Sequence, residues 1–178
     1  MNFILVFILL GLYSDTSAQT YLPIDATSEV SFKIKNFGST VDGTFKGLNG
    51  TIDFDPANLS NAKFDVAVNA TTIDTGIRMR DNHLRKADYF GVADFSTIRF
   101  VSTGVVVSRN PNELILTGKL TIKKTTKEIT FPFGYSASNV GLQFKGQFKI
   151  NRRDFGVGGN SFNLSDEVTV MLDVKTSK

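Results

Sequence analysis

Chemistry in this chain has to come from a few charged side chains, because the usual agents are scarce. The 178 residues contain one histidine, His83, and no cysteine. A transition-metal site needs three or four nitrogen, sulfur or carboxylate donors in one place, so no metal and no cofactor is expected. His83 follows Asp81 by two residues in Arg80-Asp81-Asn82-His83-Leu84-Arg85. On a helix, residues two apart do not face each other, so Asp81 does not orient the imidazole. No Gly-x-Ser-x-Gly elbow is present, and Gly156-Val157-Gly158-Gly159 lacks the Lys-Ser/Thr of a phosphate loop. No catalytic residue is therefore expected. Two charged pairs remain, Arg80 with Asp81 and Arg152 with Asp154. Arg80 and Asp81 lie three and four residues beyond Ile77, on the apolar side of a helix read over Thr75–Leu84. Arg152 and Asp154 share parity with Phe148 and Ile150, so strict alternation aims them inward. Buried charges are costly unless paired. These groups are internal salt bridges that pin the helix to the barrel, a polar mouth in which Arg80, His83 and Arg152 donate to a ligand, or both at once.

The elements that must position these residues are strands. Period-2 alternation dominates from Val30 onward. It runs through Val30, Phe32 and Ile34, then Val41, Gly43 and Phe45, and changes parity across Gly47-Leu48-Asn49-Gly50 before Ile52 and Phe54. A switch at glycine is what a bulge or tight turn produces. The pattern returns in 64–68, in 98–107 with a second change near Ser102–Gly104, and in 114–122. It continues in 129–133, 142–150 and 168–174. That makes about eight strands, nearly all with one apolar face. Only Thr75–Phe90 breaks the pattern, as one short helical insertion with Ile77 and Leu84 on a common face. A one-sided eight-stranded antiparallel sheet either closes into a β-barrel or packs as a sandwich. Alternation then puts Phe32, Ile34, Phe45, Phe100, Leu114, Leu116, Phe144, Phe148 and Ile150 on the inner face.

Before the strands, Phe3–Leu12 is almost purely apolar and is followed by Thr16-Ser17-Ala18. About ten apolar residues are too few to span a bilayer core, which needs roughly 20, but they suit a secretory signal peptide. Residues 1–18 are read as that signal, and 19–178 as one domain that does not span the membrane after cleavage. The net charge of +3 is spread along the chain, so nucleic acid is not an expected partner. Sixteen phenylalanines and no tryptophan call for a large, purely apolar interior.

The chain resembles the YceI-like polyisoprenoid-binding proteins. The resemblance is carried by Val30-Ser31-Phe32 with Lys35-Asn36, by Gly43-Thr44-Phe45-Lys46-Gly47-Leu48, and by Ile52-Asp53-Phe54-Asp55-Pro56. It continues in Arg80-Asp81-Asn82-His83-Leu84-Arg85 with Tyr89-Phe90, in Gly118-Lys119-Leu120-Thr121-Ile122, in Asn151-Arg152-Arg153-Asp154-Phe155-Gly156 and in Leu164-Ser165-Asp166-Glu167-Val168. One departure is Gly91, where many members carry Asp. The resemblance implies an all-β, eight-stranded antiparallel lipocalin-like β-barrel exported to the periplasm. It also implies a long-chain isoprenoid or fatty lipid in the lumen, and a homodimer as a possible assembly. The expected function is a non-catalytic lipid carrier. Two alternatives stand beside it: an interaction or envelope-stress module with a filled core, and a lipid-modifying enzyme using His83.

Overall fold

A computed structural model describes residues 19–178; the segment read as a signal peptide lies outside them. The strands are β1 (Gln19–Pro23), β2 (Glu29–Asn36), β3 (Ser39–Phe54), β4 (Lys63–Asp74) and β5 (Thr97–Val107). They continue with β6 (Leu114–Ile122), β7 (Thr125–Ala137), β8 (Leu142–Asn151) and β9 (Leu164–Ser177). From β2 to β9 each strand pairs antiparallel with the next, and β2 pairs with β9 to close the ring. The fold is thus the closed eight-stranded barrel rather than the sandwich. The ninth strand, β1, pairs with the end of β3 and the end of β9. It fills the seam beyond the point where β2 begins, and the alternation in its five residues is too short to announce it.

The strands form where the sequence alternates. Along β6, Leu114, Leu116, Gly118, Leu120 and Ile122 are all buried, with more exposed residues between them. Both parity changes are bulges. The register of β3 against β4 slips twice between Thr44 and Asn49, and β5 slips against β6 between Ser102 and Gly104. Gly50 sits at φ +121°, and a Cβ there would lie 2.1 Å from the Asp65 carbonyl oxygen. Only glycine allows the two backbones to come this close.

The strand ends sort the connections onto two rims. One rim carries residues 24–28, 55–62, 108–113 and 138–141; here the lumen is sealed by Phe54, Phe64, Phe133 and Phe144. Phe54 meets Phe144 edge-on at 5.3 Å, and Phe64 meets Phe133 edge-on at 5.6 Å, a favoured geometry for aromatic pairs. The other rim carries 37–38, 75–96, 123–124 and 152–163.

The helical insertion is shorter than the sequence suggests: α1 spans Arg78–Leu84. Ile77 precedes it in an extended conformation and is half exposed, so the expected Ile77–Leu84 face does not form. Leu84 packs on the core, and the residue α1 buries is Asp81.

Candidate functional site

Inside the barrel lies a cavity of about 240 Å³. Packed interiors hold few voids larger than a water molecule, and an apolar cavity of about 150 Å³ already admits benzene. The core is therefore not filled. Its wall draws on every barrel strand, including Phe32, Phe45, Val68, Phe100, Leu116, Phe131, Phe148 and Val170. Several of these side chains, among them Phe32, Phe100, Phe148 and Val170, are only half buried although they belong to the inner face, because one side of each borders the cavity.

Glycines make part of that space. A Cβ at Gly43 would meet the Phe32 ring at 2.2 Å, and one at Gly118 would meet the Phe100 ring at 2.3 Å. Each ring reaches over a glycine of the adjacent strand and occupies the place a Cβ would take.

Of the residues the alternation placed inside, Phe32, Ile34, Phe45, Phe100, Leu116, Phe144, Phe148 and Ile150 line the cavity, as do Arg80 and Arg152. Leu114 and His83 do not. Leu114 is packed into the core near the sealed rim, paired with Phe133 and Val107. His83 is exposed on α1 and stands edge-on to Tyr89 at 4.9 Å, on the outer side of the rim rather than on the cavity wall. Alternation along β9 had marked Val168, Val170 and Leu172, and these complete the wall.

The charged pairs are arranged differently from the sequence expectation. Strand β8 ends at Asn151, and Arg152–Phe155 form a 3-10 turn. Strict alternation fails there. Arg152 is 3% exposed, while Asp154 faces solvent. The partner of Arg152 is Asp166, at 3.0 Å. Its guanidinium also donates to the carbonyls of Val157 (2.9 Å), Ser165 (2.9 Å), Gly159 (3.0 Å) and Leu164 (3.3 Å). Its five N–H donors thus match five acceptors, and it clamps the 152–163 connection.

Arg80 and Asp81 do not pair with each other either. Both grip Thr75. Asp81 accepts from the Thr75 backbone N–H (2.9 Å) and hydroxyl (2.5 Å). Arg80 Nε donates to that hydroxyl oxygen and Nη2 to the Thr75 carbonyl, each at 2.7 Å. Arg80 spends two donors on the described residues, and no buried side-chain polar atom among those residues lacks a partner. Its remaining N–H groups therefore face the cavity mouth or solvent. Thr75 and Asp166 fix these two arginines; Asp166 lay in a segment that carries the family resemblance, but neither pairing was read from the sequence.

The mouth is half covered. Tyr89 and Phe90, from the segment after α1, pack with Phe155 and Val157 of the 152–163 connection over Leu120, Ile122, Ile129, Phe148 and Ile150. Lys123 holds this cover together by donating to the carbonyls of Ala87 (2.8 Å) and Gly156 (2.9 Å). On the opposite side Ile34, Asn36, Val41 and Leu164 line the cavity and are half buried.

A closed antiparallel barrel with an apolar chamber, sealed by phenylalanines at one end and ringed by polar groups at the other, defines a lipocalin-like architecture. The model of the YceI-like domain matches residues 23–176, and the chain belongs to that family. Protein YceI of Salmonella arizonae is 34% identical over 157 residues, covering 82% of this chain and 79% of the relative. Among solved structures, BcnA of Burkholderia cenocepacia superposes with a TM-score of 0.81 at 25% identity, covering 88% of this chain and 99% of that one. A polyisoprenoid binding domain from Saccharophagus degradans, 14% identical, shares the fold with a TM-score of 0.68 over 90% of this chain and 98% of its own.

Proposed function

We propose that this protein is a non-catalytic carrier for a polyisoprenoid or similar long-chain lipid, exported to the periplasm. The reading rests on one observation: an apolar chamber walled by all eight barrel strands, closed at one end and polar only at the other. In this reading the chain of the lipid lies among Phe32, Phe100, Phe131 and Phe148, and its polar end stays at the mouth near Arg80. Arg152 takes no direct part, since its donors are already engaged within the protein. The fold shared with a polyisoprenoid-binding domain and membership of the YceI-like family support the choice of ligand. Each methylene taken out of water contributes roughly 0.8 kcal/mol. Two or three isoprene units, of five carbons each, therefore contribute about 8–12 kcal/mol, enough to offset all but the upper part of an association cost of about 4–15 kcal/mol.

Native mass spectrometry of protein purified from its producing cells tests the proposal. A long-chain lipid that co-purifies is the expected result. An empty chain that takes up no fluorescent lipid analogue would overturn it. The same spectra count subunits, a homodimer being the assembly the family resemblance implies. Fractionation of the producing cells tests export: recovery of the protein in the cytoplasm would refute a periplasmic carrier.

A further inference from the structure

The mouth rim exposes large apolar side chains that the barrel does not use. Phe37 is 77% exposed, Met79 82%, Ile77 51%, and Phe162 projects fully into solvent. They come from three different connections of one rim: the β2–β3 turn, α1 and the segment before it, and the 152–163 connection. Two of the connections touch, because the Phe37 N–H donates to the carbonyl of Asn163, the residue after Phe162, at 2.8 Å.

Phe37 is also the wrong residue for its turn. Asn36 pairs with Ser39, so Phe37 and Gly38 form a two-residue hairpin loop, with φ of +50° and +76°. Both central positions of such a loop require positive φ, which Asn, Asp or Gly adopt readily and a bulky side chain does not. A strained aromatic in water contributes nothing to folding that Asn would not provide better.

Charge follows the same division of the barrel. The four connections of this rim hold eight Lys and Arg against four Asp, whereas those of the sealed rim hold one Arg against three Asp and Glu. Apolar side chains also project near the sealed rim, at Leu22, Val106, Val107, Tyr135 and Val140, but its connections carry no excess of Lys and Arg and none of these residues has a positive φ. Apolar tips within a basic rim are the surface that enters an anionic lipid interface.

We propose that the mouth of the barrel docks on an anionic phospholipid bilayer, with Phe37, Met79 and Phe162 entering the headgroup region and Arg78, Lys86 and Lys124 facing lipid phosphates. The chamber would then open toward the membrane and away from water. Docking does not depend on the identity of any lipid carried inside.

The test is flotation of the chain, purified from the soluble fraction, with vesicles of phosphatidylglycerol and phosphatidylcholine or of phosphatidylcholine alone. Binding to the mixed vesicles that weakens as salt is raised is expected. The double variant Phe37→Asn/Phe162→Ser should bind at least about tenfold less while melting no lower than the parent, because Asn suits the turn. Lys86→Ala and Lys124→Ala should each weaken binding about fivefold, and Val107→Ser at the sealed rim should leave it unchanged. Equal binding by parent and double variant would overturn the proposal, as would equal binding to both vesicle types. So would self-association without vesicles that the double variant abolishes, since a second copy would then be the occupant. If flotation fails but a lipid still co-purifies, docking falls and the carrier reading stands.

Discussion

Replacing Arg152 by alanine separates a structural guanidinium from a ligand-binding one. The side chain is 3% exposed and donates five hydrogen bonds, four to backbone carbonyls and one to Asp166. Removing one partner of a buried ion pair costs about 3–5 kcal/mol, chiefly because the other group is left without compensation. Here Asp166 keeps a second contact, Arg153 at 3.2 Å, and is itself 39% exposed, which favours the lower half of that range. The four orphaned carbonyls add a desolvation cost wherever water does not reach them. A net loss of about 4 kcal/mol follows. In a domain of this size each kcal/mol moves Tm by about 2–4 °C, so Arg152→Ala should melt about 8–16 °C lower.

The assay is thermal melting by near-ultraviolet circular dichroism at pH 7, paired with titration of an uncharged long-chain fluorescent lipid well below the lowered Tm. Arg152→Lys offers one point charge with three donors in place of the five-donor fork. It should recover less than half of the loss. Affinity for the uncharged lipid should change by less than about threefold, since the tail sets it. A melting point within about 3 °C of the parent, together with lost affinity, would refute the reasoning and make Arg152 part of the binding site.

Other perturbations read other parts of the structure. Thr75→Val keeps the side-chain shape but removes the hydroxyl that bridges Arg80 and Asp81; it should cost about 1–3 kcal/mol and speed amide exchange selectively in Arg78–Leu84. Unchanged exchange there would show that Thr75 does not hold α1. Val170→Trp puts bulk into the chamber between Phe32 and Phe148, the neighbours it pairs with; displacing about four methylenes of ligand should weaken lipid binding roughly 200-fold, and full affinity would place the ligand elsewhere. For Asp173, burial raises the carboxyl pKa, but hydrogen bonds from Gln143 and Lys145, with the charges of Lys145 and Lys175, hold it below its ordinary value. The stability this provides is present above the unfolded carboxylate pKa near 4 and is lost as pH falls through the lower folded value. The Tm gap between the parent and Asp173→Asn should therefore shrink as pH falls from about 6 to about 3, and a constant gap would exclude this linkage. In a series of isoprenoid alcohols of increasing length, affinity should rise with each added unit and then level off once the chain reaches the Phe54–Phe144 seal; affinity flat across the series would argue against burial of the tail.

Alternation made the strands legible because each has one wet face and one apolar face, and the period survives until a bulge or turn intervenes; it left closure or a sandwich open, and the barrel was implied by the family resemblance. The two parity breaks marked real bulges, at Gly47–Gly50 and at Ser102–Gly104. The pattern misled where period was extended past the end of an element. Asp154 was aimed inward by continuing β8 through Asn151, but a 3-10 turn has three residues per turn, and the carboxylate comes out in solvent. Ile77 was assigned to a helical face although it precedes the helix in an extended conformation. The partners of the arginines were hidden for a different reason. Arg152 is held by Asp166 and carbonyls up to fourteen residues away, and backbone acceptors have no residue type to read. Leu114 had the right parity but sits at the sealed rim, since parity fixes the face of a strand and not the depth along the barrel.

The two arginines show why this chamber can carry charge at its mouth without losing its apolar character. Arg152 brings a full positive charge next to the cavity, but its donors are consumed by protein acceptors, so it presents little unsatisfied polarity to a tail. Arg80 lines the cavity, is braced from one side by Thr75, and keeps N–H groups that the protein does not engage. A partly exposed charge contact of that kind contributes about 0.2–1 kcal/mol, which each buried methylene matches at about 0.8. Selectivity should accordingly reside in the length and shape of the tail, with Arg80 setting which end of the molecule faces out. A carrier of the kind proposed would hold its cargo by the part shared among many lipids and discriminate weakly among head groups.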